Sequence, residues 1–245
     1  MTDWLRYEWE WHNQEAVFQV DLQYWELLPT LGYAHLVYIS CAPRDAEAVE
    51  FSRKEERAAS ALQHTLSEQL QENAIFVGGI GLKALLQFYF YTSDANLIQR
   101  VTTLCRAEPH LQVTCGHVAE THYATYYCLL FPDDAKLQSV ENAAYIKSVQ
   151  HRDGDVSLVR RVNLLMAFTT EQACDRFIEE VPHVGFTVGL RQSVGNATHP
   201  YRVMISGFST LQLFDLNRCT TRAIRSALPF QGVLDHVEAD FIEKH

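Results

Sequence analysis

The chain has 245 residues, of which 47% are hydrophobic and 20% charged, as expected for one large packed domain or two domains of ordinary size. No apolar run approaches the about 20 residues of a membrane-spanning helix, and the acidic, aromatic start lacks the layout of a signal peptide, so we expect a cytoplasmic protein. Residues 1–150 carry 10 basic and 19 acidic side chains, and residues 151–245 carry 10 and 11. Most of the net charge of −10 therefore lies in the first part, where it disfavours nucleic-acid binding.

The first part of the chain predicts a hairpin and then a strand–helix–strand–strand–helix–strand succession. Aromatic and charged residues alternate over 6–11, as in a half-buried strand, and residues 16–22 return after a turn at 12–14. Ser52 and Glu55 have the spacing of a capping box at the start of a helix. The strands are expected at 35–41, 74–80, 84–92 and 110–118, and the helices at about 50–73 and 94–107.

Three segments connect this part to the rest. Residues 78–81, with the sequence GGIG, favour a tight turn between two strands over a phosphate-binding loop, which a helix should follow. The apolar run YATYYCLLF (123–131) predicts a further strand. Pro132-Asp133-Asp134 then suits a helix start, and that helix runs to about Val149 and ends at HRDGD (151–155).

The second part repeats the same succession. Thr169 with Gln172, and Ser209 with Gln212, each predict a capping box, and Pro182 ends the first helix. The strands are expected at 158–168, 185–191, 201–208 and 232–242, with helices between the first and second and between the third and fourth.

The two successions favour an α+β protein of two tandem ferredoxin-like (βαββαβ) sandwich domains. We expect one domain at 1–150, with an extra N-terminal hairpin and a linking helix, and the other at 156–245. The repeat is one of pattern, without identity of residues between the copies.

Some of these residues resemble known bacterial families. IFVGGIGLKALLQFYFYTSD (75–94) and LLFPDDAKLQ (129–138) resemble a domain family of unknown function. The second part resembles the regulator of ribonuclease E activity B family through Gly154-Asp155, Val184-Gly185-Phe186 and FQGVLDHVEADF (230–241). That resemblance implies a bacterial regulator linked to RNA decay. The sequence departs from that family's pattern at two points: Leu164-Leu165 stands where relatives often carry histidines, and Asp235-His236-Val237 stands where they often have aspartate-glycine-tryptophan.

The candidate catalytic and metal-binding residues do not form a convincing site. His117 and His122 are five apart, which places them on opposite faces of a strand and disfavours a shared metal. Cys128 lies in an apolar segment without a neighbouring base. We therefore expect no metal, no cofactor and no catalytic residue. The six cysteines form no CxxC pair and are expected to be free thiols: Cys41, Cys105, Cys115, Cys128, Cys174 and Cys219.

The run Phe88-Tyr89-Phe90-Tyr91 invites comparison with RNA-recognition modules, in which aromatic residues on central strands stack on bases. Alternate residues share a face, so one pair is expected to pack on the helices. Lys83 is the only basic residue close by, which disfavours RNA binding at this run.

The best basic patch lies on the last predicted helix. Arg218, Arg222 and Arg225 are spaced to share one face, and Arg160-Arg161 adds charge in an earlier strand. The patch is either a solvated helix face or a binding surface for an acidic partner or for the acidic first part of the same protein.

The leading hypothesis is a non-enzymatic protein-binding or regulatory module with an unidentified protein partner and no membrane. A homodimer through exposed strand edges is compatible with it. One alternative is an enzyme or small-ligand binder with a site in the cleft between domains. The other is RNA binding through the second part.

Overall fold

The computed structural model of the protein describes residues 3–151, 155–195 and 197–240. Its internal contacts divide the chain into two units, Met1–Pro132 and Asp133–His245. Each unit has one antiparallel sheet and several helices, so the predicted α+β class is confirmed. In the described residues, no helix combines the length and hydropathy that a membrane crossing requires.

Over residues 3–132, the first unit contains a six-stranded sheet, three α-helices and one π-helical segment, Thr125–Leu130. Its helices are α1 (Tyr24–Leu31), α2 (Arg53–Leu70) and α3 (Leu97–Arg106). Its strands are β1 (Trp4–Trp11), β2 (Gln14–Asp21), β3 (His35–Pro43), β4 (Ala74–Leu82), β5 (Leu85–Thr92) and β6 (Leu111–Ala119).

The N-terminal hairpin forms as the alternation predicts. His12 and Asn13 form its two-residue turn with φ of 51° and 59°, a conformation that matches the twist of the two strands. Tyr7 lies opposite Phe18 in the register, and their rings stack with centroids 5.0 Å apart. The hairpin joins the sheet through β2, which pairs with β4.

The strand order of this sheet is β1-β2-β4-β5-β3-β6, so β5 and β3, each of which leads into a helix, lie side by side. Helices α2 and α3 cover one face, and their apolar residues at helical spacing meet β3 and β5 in one buried cluster. Ser52 caps α2, and its backbone N–H and hydroxyl donate to Glu55 at 2.9 and 2.6 Å, so the predicted capping box is confirmed.

The other face of this sheet is also covered, which the sequence did not predict. Tyr89 and Tyr91 are 6% and 0% exposed, so both aromatic pairs of β5 are buried. The segment predicted as a strand at 123–131 is instead a π-helix that packs on β2 and β4. Its buried Tyr126 and Leu130 are four residues apart, a helical spacing, and Tyr126 Oη donates to the carbonyl of Asp21 at 2.8 Å.

The glycines at 78–81 lie inside β4 and not in the turn that the sequence predicts. The turn is Lys83-Ala84, because Leu82 pairs with Leu85. Gly78 has φ of 152°, next to a bulge in β4, and a Cβ there would lie 2.3 Å from the carbonyl oxygen of Gln19. This glycine is therefore required for the close approach of β2 to β4.

The second unit contains a four-stranded sheet and three α-helices in its described residues. The elements are α4 (Asp134–Gln150), β7 (Arg160–Phe168), α5 (Glu171–Glu180), β8 (Thr187–Ser193), β9 (Tyr201–Ser209), α6 (Leu213–Ala227) and β10 (Val233–Ala239). A short 3₁₀ turn, Val181–Val184, follows α5, and another, Leu228–Phe230, follows α6.

Its strand order is β10-β7-β9-β8, so again the two strands that lead into helices are central. Alternate residues of β7, such as Val162 and Leu164, join the buried cluster with α5 and α6. We call the opposite side of this sheet the open face. The predicted alternation of β10 is interrupted by a bulge between Leu234 and His236.

Helix α4 belongs by its contacts to the second unit, so the units divide earlier than the expected boundary at 150–156. Its buried side carries Ile146 and Val149, which join the core of this unit. Asn142 Nδ2 donates to Asn217 Oδ1 at 2.9 Å and to Thr220 Oγ1 at 3.0 Å, both on α6. Because polar residues lie on this buried side, the sequence of α4 suggests a helix that links two domains and not one that belongs to a core. Of the HRDGD stretch, residues 152–154 lie outside the described residues.

Two predicted caps of this unit differ from the structure. Thr170, and not Thr169, caps α5, and its hydroxyl accepts from the Ala173 N–H at 3.2 Å. At α6 the expected box of Ser209 and Gln212 does not form, because Gln212 is the N-cap residue without a side-chain bond. The C-terminal strand was expected to reach 242, and residues 241–245 lie outside the described residues.

Substituting Asn142→Ala should lower the free energy of unfolding by roughly 1–3 kcal/mol, because Asn217 and Thr220 lose a donor where water is excluded. Ser148→Ala, on the exposed side of the same helix, is the matched control and should change it by less than about 0.5 kcal/mol. Urea denaturation followed by circular dichroism measures both. Equal effects would mean that the α4–α6 bonds do not hold the helix.

Tyr89→Phe should change the free energy of unfolding by an amount that depends on pH. Burial raises the pKa of Tyr89 to about 12, against 10.0 for an exposed tyrosine, and its hydroxyl donates to Gln87 Oε1 at 2.7 Å. Below pH 10 the wild type should be more stable by about 1 kcal/mol. Between pH 10 and about 12 the tyrosine ionises in the unfolded chain before it does so in the fold, so the wild type loses stability and the gap narrows. A gap independent of pH in urea titrations would contradict this.

Candidate functional site

Helix α6 has an apolar side and a basic side. Its buried residues recur at helical spacing and pack on the sheet and on α4: Leu216, Cys219, Ala223, Ile224 and Ala227. Arg218, Arg222 and Arg225 are exposed together on the outer side, as their spacing predicts. We call these three residues the arginine face.

Arg222 is held in place by an aromatic ring. Its guanidinium carbon lies 4.5 Å from the ring centroid of Phe186, within the range of a cation–π contact. Gly185 precedes Phe186 with φ of 87°, a backbone conformation that favours glycine, and a Cβ at Gly207 would lie 3.0 Å from the ring, so Gly207 makes room for it. Burial raises the pKa of the Cys219 thiol, and the nearby Arg222 opposes that rise. The centre of the arginine face is therefore fixed before any partner binds.

A groove of about 350 Å³ lies beside this face, between the C-terminal ends of α5 and α6. Ser226, in its wall, donates to the carbonyl of Arg222 at 2.7 Å, so the groove and the arginine face adjoin. Arg176 lies 5.5 Å from the ring centroid of Phe230, which gives the groove a second arginine–aromatic contact. The groove is lined by Arg176, Glu179, Glu180, His183, Val184, Ser226, Pro229 and Phe230.

The open face of the second sheet carries a different kind of surface. Phe208, in the middle of the sheet order on β9, is 74% exposed and lies opposite Arg161 of β7 in the register. Arg161 donates to Ser206 Oγ at 3.0 Å, and Ser206 donates to Asn163 Oδ1 at 2.8 Å. An arginine fixed beside an exposed ring suits a planar or aromatic ligand. The sequence did not indicate it, because the alternation of β9 gives no sign that one face lacks a cover.

His117 of β6 lies beside a different histidine from His122, which the sequence spacing disfavours as a partner. His117 Nε2 lies 3.1 Å from Nδ1 of His35 on the adjacent strand β3. His122, the partner considered from the sequence, lies beyond the end of β6. Across the part of the chain that the structure describes, no group of three His, Cys, Asp or Glu side chains is arranged to hold a metal ion.

Cys128 is exposed in the π-helix, whereas the sequence places it in an apolar strand.

Arg160 and Arg161, considered together in the sequence, separate in the structure. Arg160 is 4% exposed, and Arg161 lies on the open face. The arginine face thus combines exposure, a positive charge and an adjoining groove.

Comparisons with known proteins add to this geometry. None of the curated proteins compared with the chain matches it. The crystal structure of an unknown protein from Galdieria sulphuraria is similar at 10% sequence identity, over 84% of this chain and 98% of that one. Its TM-score of 0.23 is too low to carry an argument about the fold.

A protein-family model agrees with the division of the chain. It covers residues 2–131, and the first unit is Met1–Pro132, so the match ends where the contacts place the boundary. That model describes a family of unknown function, DUF695, and since it matches more than half of the chain, the protein belongs to the DUF695 family.

Proposed function

We propose that this protein is a non-enzymatic protein-binding module whose second unit recognises an acidic segment of a partner protein. The observation that carries the proposal is the arginine face beside the groove. Arginine and aromatic residues dominate the binding energy of protein interfaces, and both are present here in fixed contact. Because Arg222 is already ordered on Phe186, little side-chain entropy is lost when a carboxylate binds it.

The charge of the protein favours this use of the face. The chain is acidic overall, with a net charge of −10, so an acidic partner is repelled from most of its surface. Three adjacent arginines then attract the partner to one place and in one orientation. Glu179 and Glu180 in the groove wall repel carboxylates, so the groove takes an apolar side chain of the same segment, next to Phe230 and Val184.

We further propose that both units are ferredoxin-like. In each, strand–helix–strand–strand–helix–strand elements form a sheet in which the first and third of the four strands are central. Helices α2 and α3 in one unit, and α5 and α6 in the other, cover one side of the sheet. The hairpin β1–β2 extends the first sheet beside β4. This order supports tandem βαββαβ sandwiches.

The resemblance of the second unit to the regulator of ribonuclease E activity B family suggests a setting for the interaction. A role in the control of RNA decay in the bacterial cytoplasm, by contact with a protein of that machinery, is the specific form of the proposal. Partner identity is left to experiment, and a homodimer through an exposed strand edge is compatible with it.

A second candidate function rests on the open face. Phe208 and Arg161 together offer a ring for base stacking and a cation for phosphate, which suits single-stranded RNA. It ranks second because Glu238 and Asp240 lie at the same face and repel phosphate.

The first candidate predicts a partner that depends on the arginine face. The full chain, immobilised, should retain a protein from bacterial lysate with and without nuclease. Arg218→Ala/Arg222→Ala/Arg225→Ala should reduce its recovery at least tenfold, whereas Arg53→Ala/Arg57→Ala/Arg106→Ala, an equal loss of exposed charge in the first unit, should not. Recovery of no protein at any salt concentration, or equal loss in both variants, would overturn the proposal.

The second candidate predicts binding of a labelled single-stranded RNA that weakens steeply with salt, measured by fluorescence anisotropy. Phe208→Ala and Arg161→Ala should each weaken it, and the arginine-face variant should bind like wild type. No binding at low salt would remove RNA from consideration at the open face. Loss in the arginine-face variant alone would move the RNA site to α6.

A further inference from the structure

Three thiols of the first unit come together in the core between its sheet and helices α2 and α3. Cys41 lies on β3, Cys115 on the adjacent strand β6, and Cys105 in the last turn of α3. The register pairs Ile39 with Cys115 and Cys41 with Val113, so the two strand cysteines are close neighbours on one face. Helix α3 packs on β6 and brings Cys105 to them.

The contacts of this cluster distinguish Cys115 from the other two cysteines. Cys105 and Thr102, both on α3, lie beside the sulfur of Cys115. Hydrogen bonding from these two groups holds the pKa of Cys115 below its usual value, whereas the interaction with Cys115 and burial raise the pKa of Cys105. Burial raises the pKa of Cys41 to about 12.

Exposure also separates the members of the cluster. Cys115 is partly exposed, while Cys41 and Cys105 are buried at 0% and 5% exposure. A small oxidant can therefore reach Cys115 first. A reachable thiol with a lowered pKa beside a second thiol is the arrangement found at oxidation-sensitive sites.

We propose that Cys115 is a peroxide-reactive thiol and Cys105 the thiol that resolves it to a disulfide between β6 and α3. This site is independent of the proposed protein binding by the second unit. Its substrate is hydrogen peroxide or a small organic hydroperoxide, and the thiol pair supplies both electrons.

The reaction has two steps. In the first, the Cys115 thiolate attacks one peroxide oxygen, the O–O bond breaks, and Cys115 becomes a sulfenic acid while the departing hydroxide takes up the proton that the thiol lost. In the second, the sulfur of Cys105 attacks the sulfur of Cys115, the S–O bond breaks, and the hydroxyl leaves as water with the proton of Cys105. Two thiols and one hydrogen peroxide thus yield one disulfide and two waters, whereas an organic hydroperoxide leaves an alcohol and one water.

The proposed disulfide requires the two sulfurs to move closer together. A disulfide needs about 2.05 Å between sulfurs, shorter than a hydrogen bond between thiols. Cys105 lies one residue before the end of α3, where the helix continues into a connecting turn before β6. We therefore place the required shift in this last turn and in the connection that follows it.

The experiment treats the reduced full chain with equimolar hydrogen peroxide, blocks remaining thiols with N-ethylmaleimide under denaturing conditions, and maps the peptides by mass spectrometry. A Cys105–Cys115 cross-link should form at least tenfold faster than oxidation at Cys174 or Cys219, which are buried thiols of the same molecule. Exposed Cys128 serves as the test of mere accessibility.

Variants identify the order of the steps. Cys105→Ser should stop the reaction at Cys115 sulfenic acid, which dimedone labels, and Cys115→Ser should leave Cys105 reduced. Cys128→Ser should react like wild type. Oxidation of Cys128 ahead of Cys115, or a wild-type cross-link that omits Cys105, would overturn the proposal. The wild-type peptide map gives that answer even if a variant fails to fold.

Discussion

A β-strand points successive side chains to opposite faces, so every apolar face of a sheet requires a cover. Strand β5 carries large aromatic residues at four successive positions, Phe88 to Tyr91, and therefore requires covers on both faces. Helices α2 and α3 supply one, and the π-helical segment supplies part of the other. Strand β7 instead alternates apolar residues with Arg161 and Asn163. Its sheet needs one cover, and Phe208 and Arg161 on the other face are exposed.

The second unit depends on a polar contact as well as on its apolar core. Asn142, Asn217 and Thr220 bond to one another where α4 meets α6. Buried polar groups tolerate few alternative arrangements, so these bonds specify how α4 lies on α6 more narrowly than apolar packing would. Helix α6 is thereby held from one side by α4 and from the other by Phe186 under Arg222, and its outer side presents the arginines.

The elements with strong periodicity were predictable from the sequence, and those set by tertiary contacts were not. The hairpin turn at His12-Asn13 and the cap at Ser52 follow from local chemistry. The run at 123–131 has enough apolar residues for either a strand or a helix, and only its packing on β2 and β4 decides between them. Of the candidate sites, the arginine face could be predicted from the helical spacing of its three arginines. The thiol cluster was not, because it depends on the register of β3 and β6.

The N-terminal hairpin looks like an appendage in the strand order, since it extends one edge of the sheet. Its hydrogen bonds show a closer connection. Tyr7 Oη donates a hydrogen bond to the carbonyl of Leu130 at 2.7 Å, and the carbonyl of Asp21 accepts one from the hydroxyl of Tyr126. The N-terminal hairpin is thus hydrogen-bonded to the π-helical segment near the end of the unit. A shortened protein starting after Asp21 would lose both attachments and uncover Tyr126, so the hairpin belongs to the minimal folding unit and should be retained whenever the first unit is expressed alone.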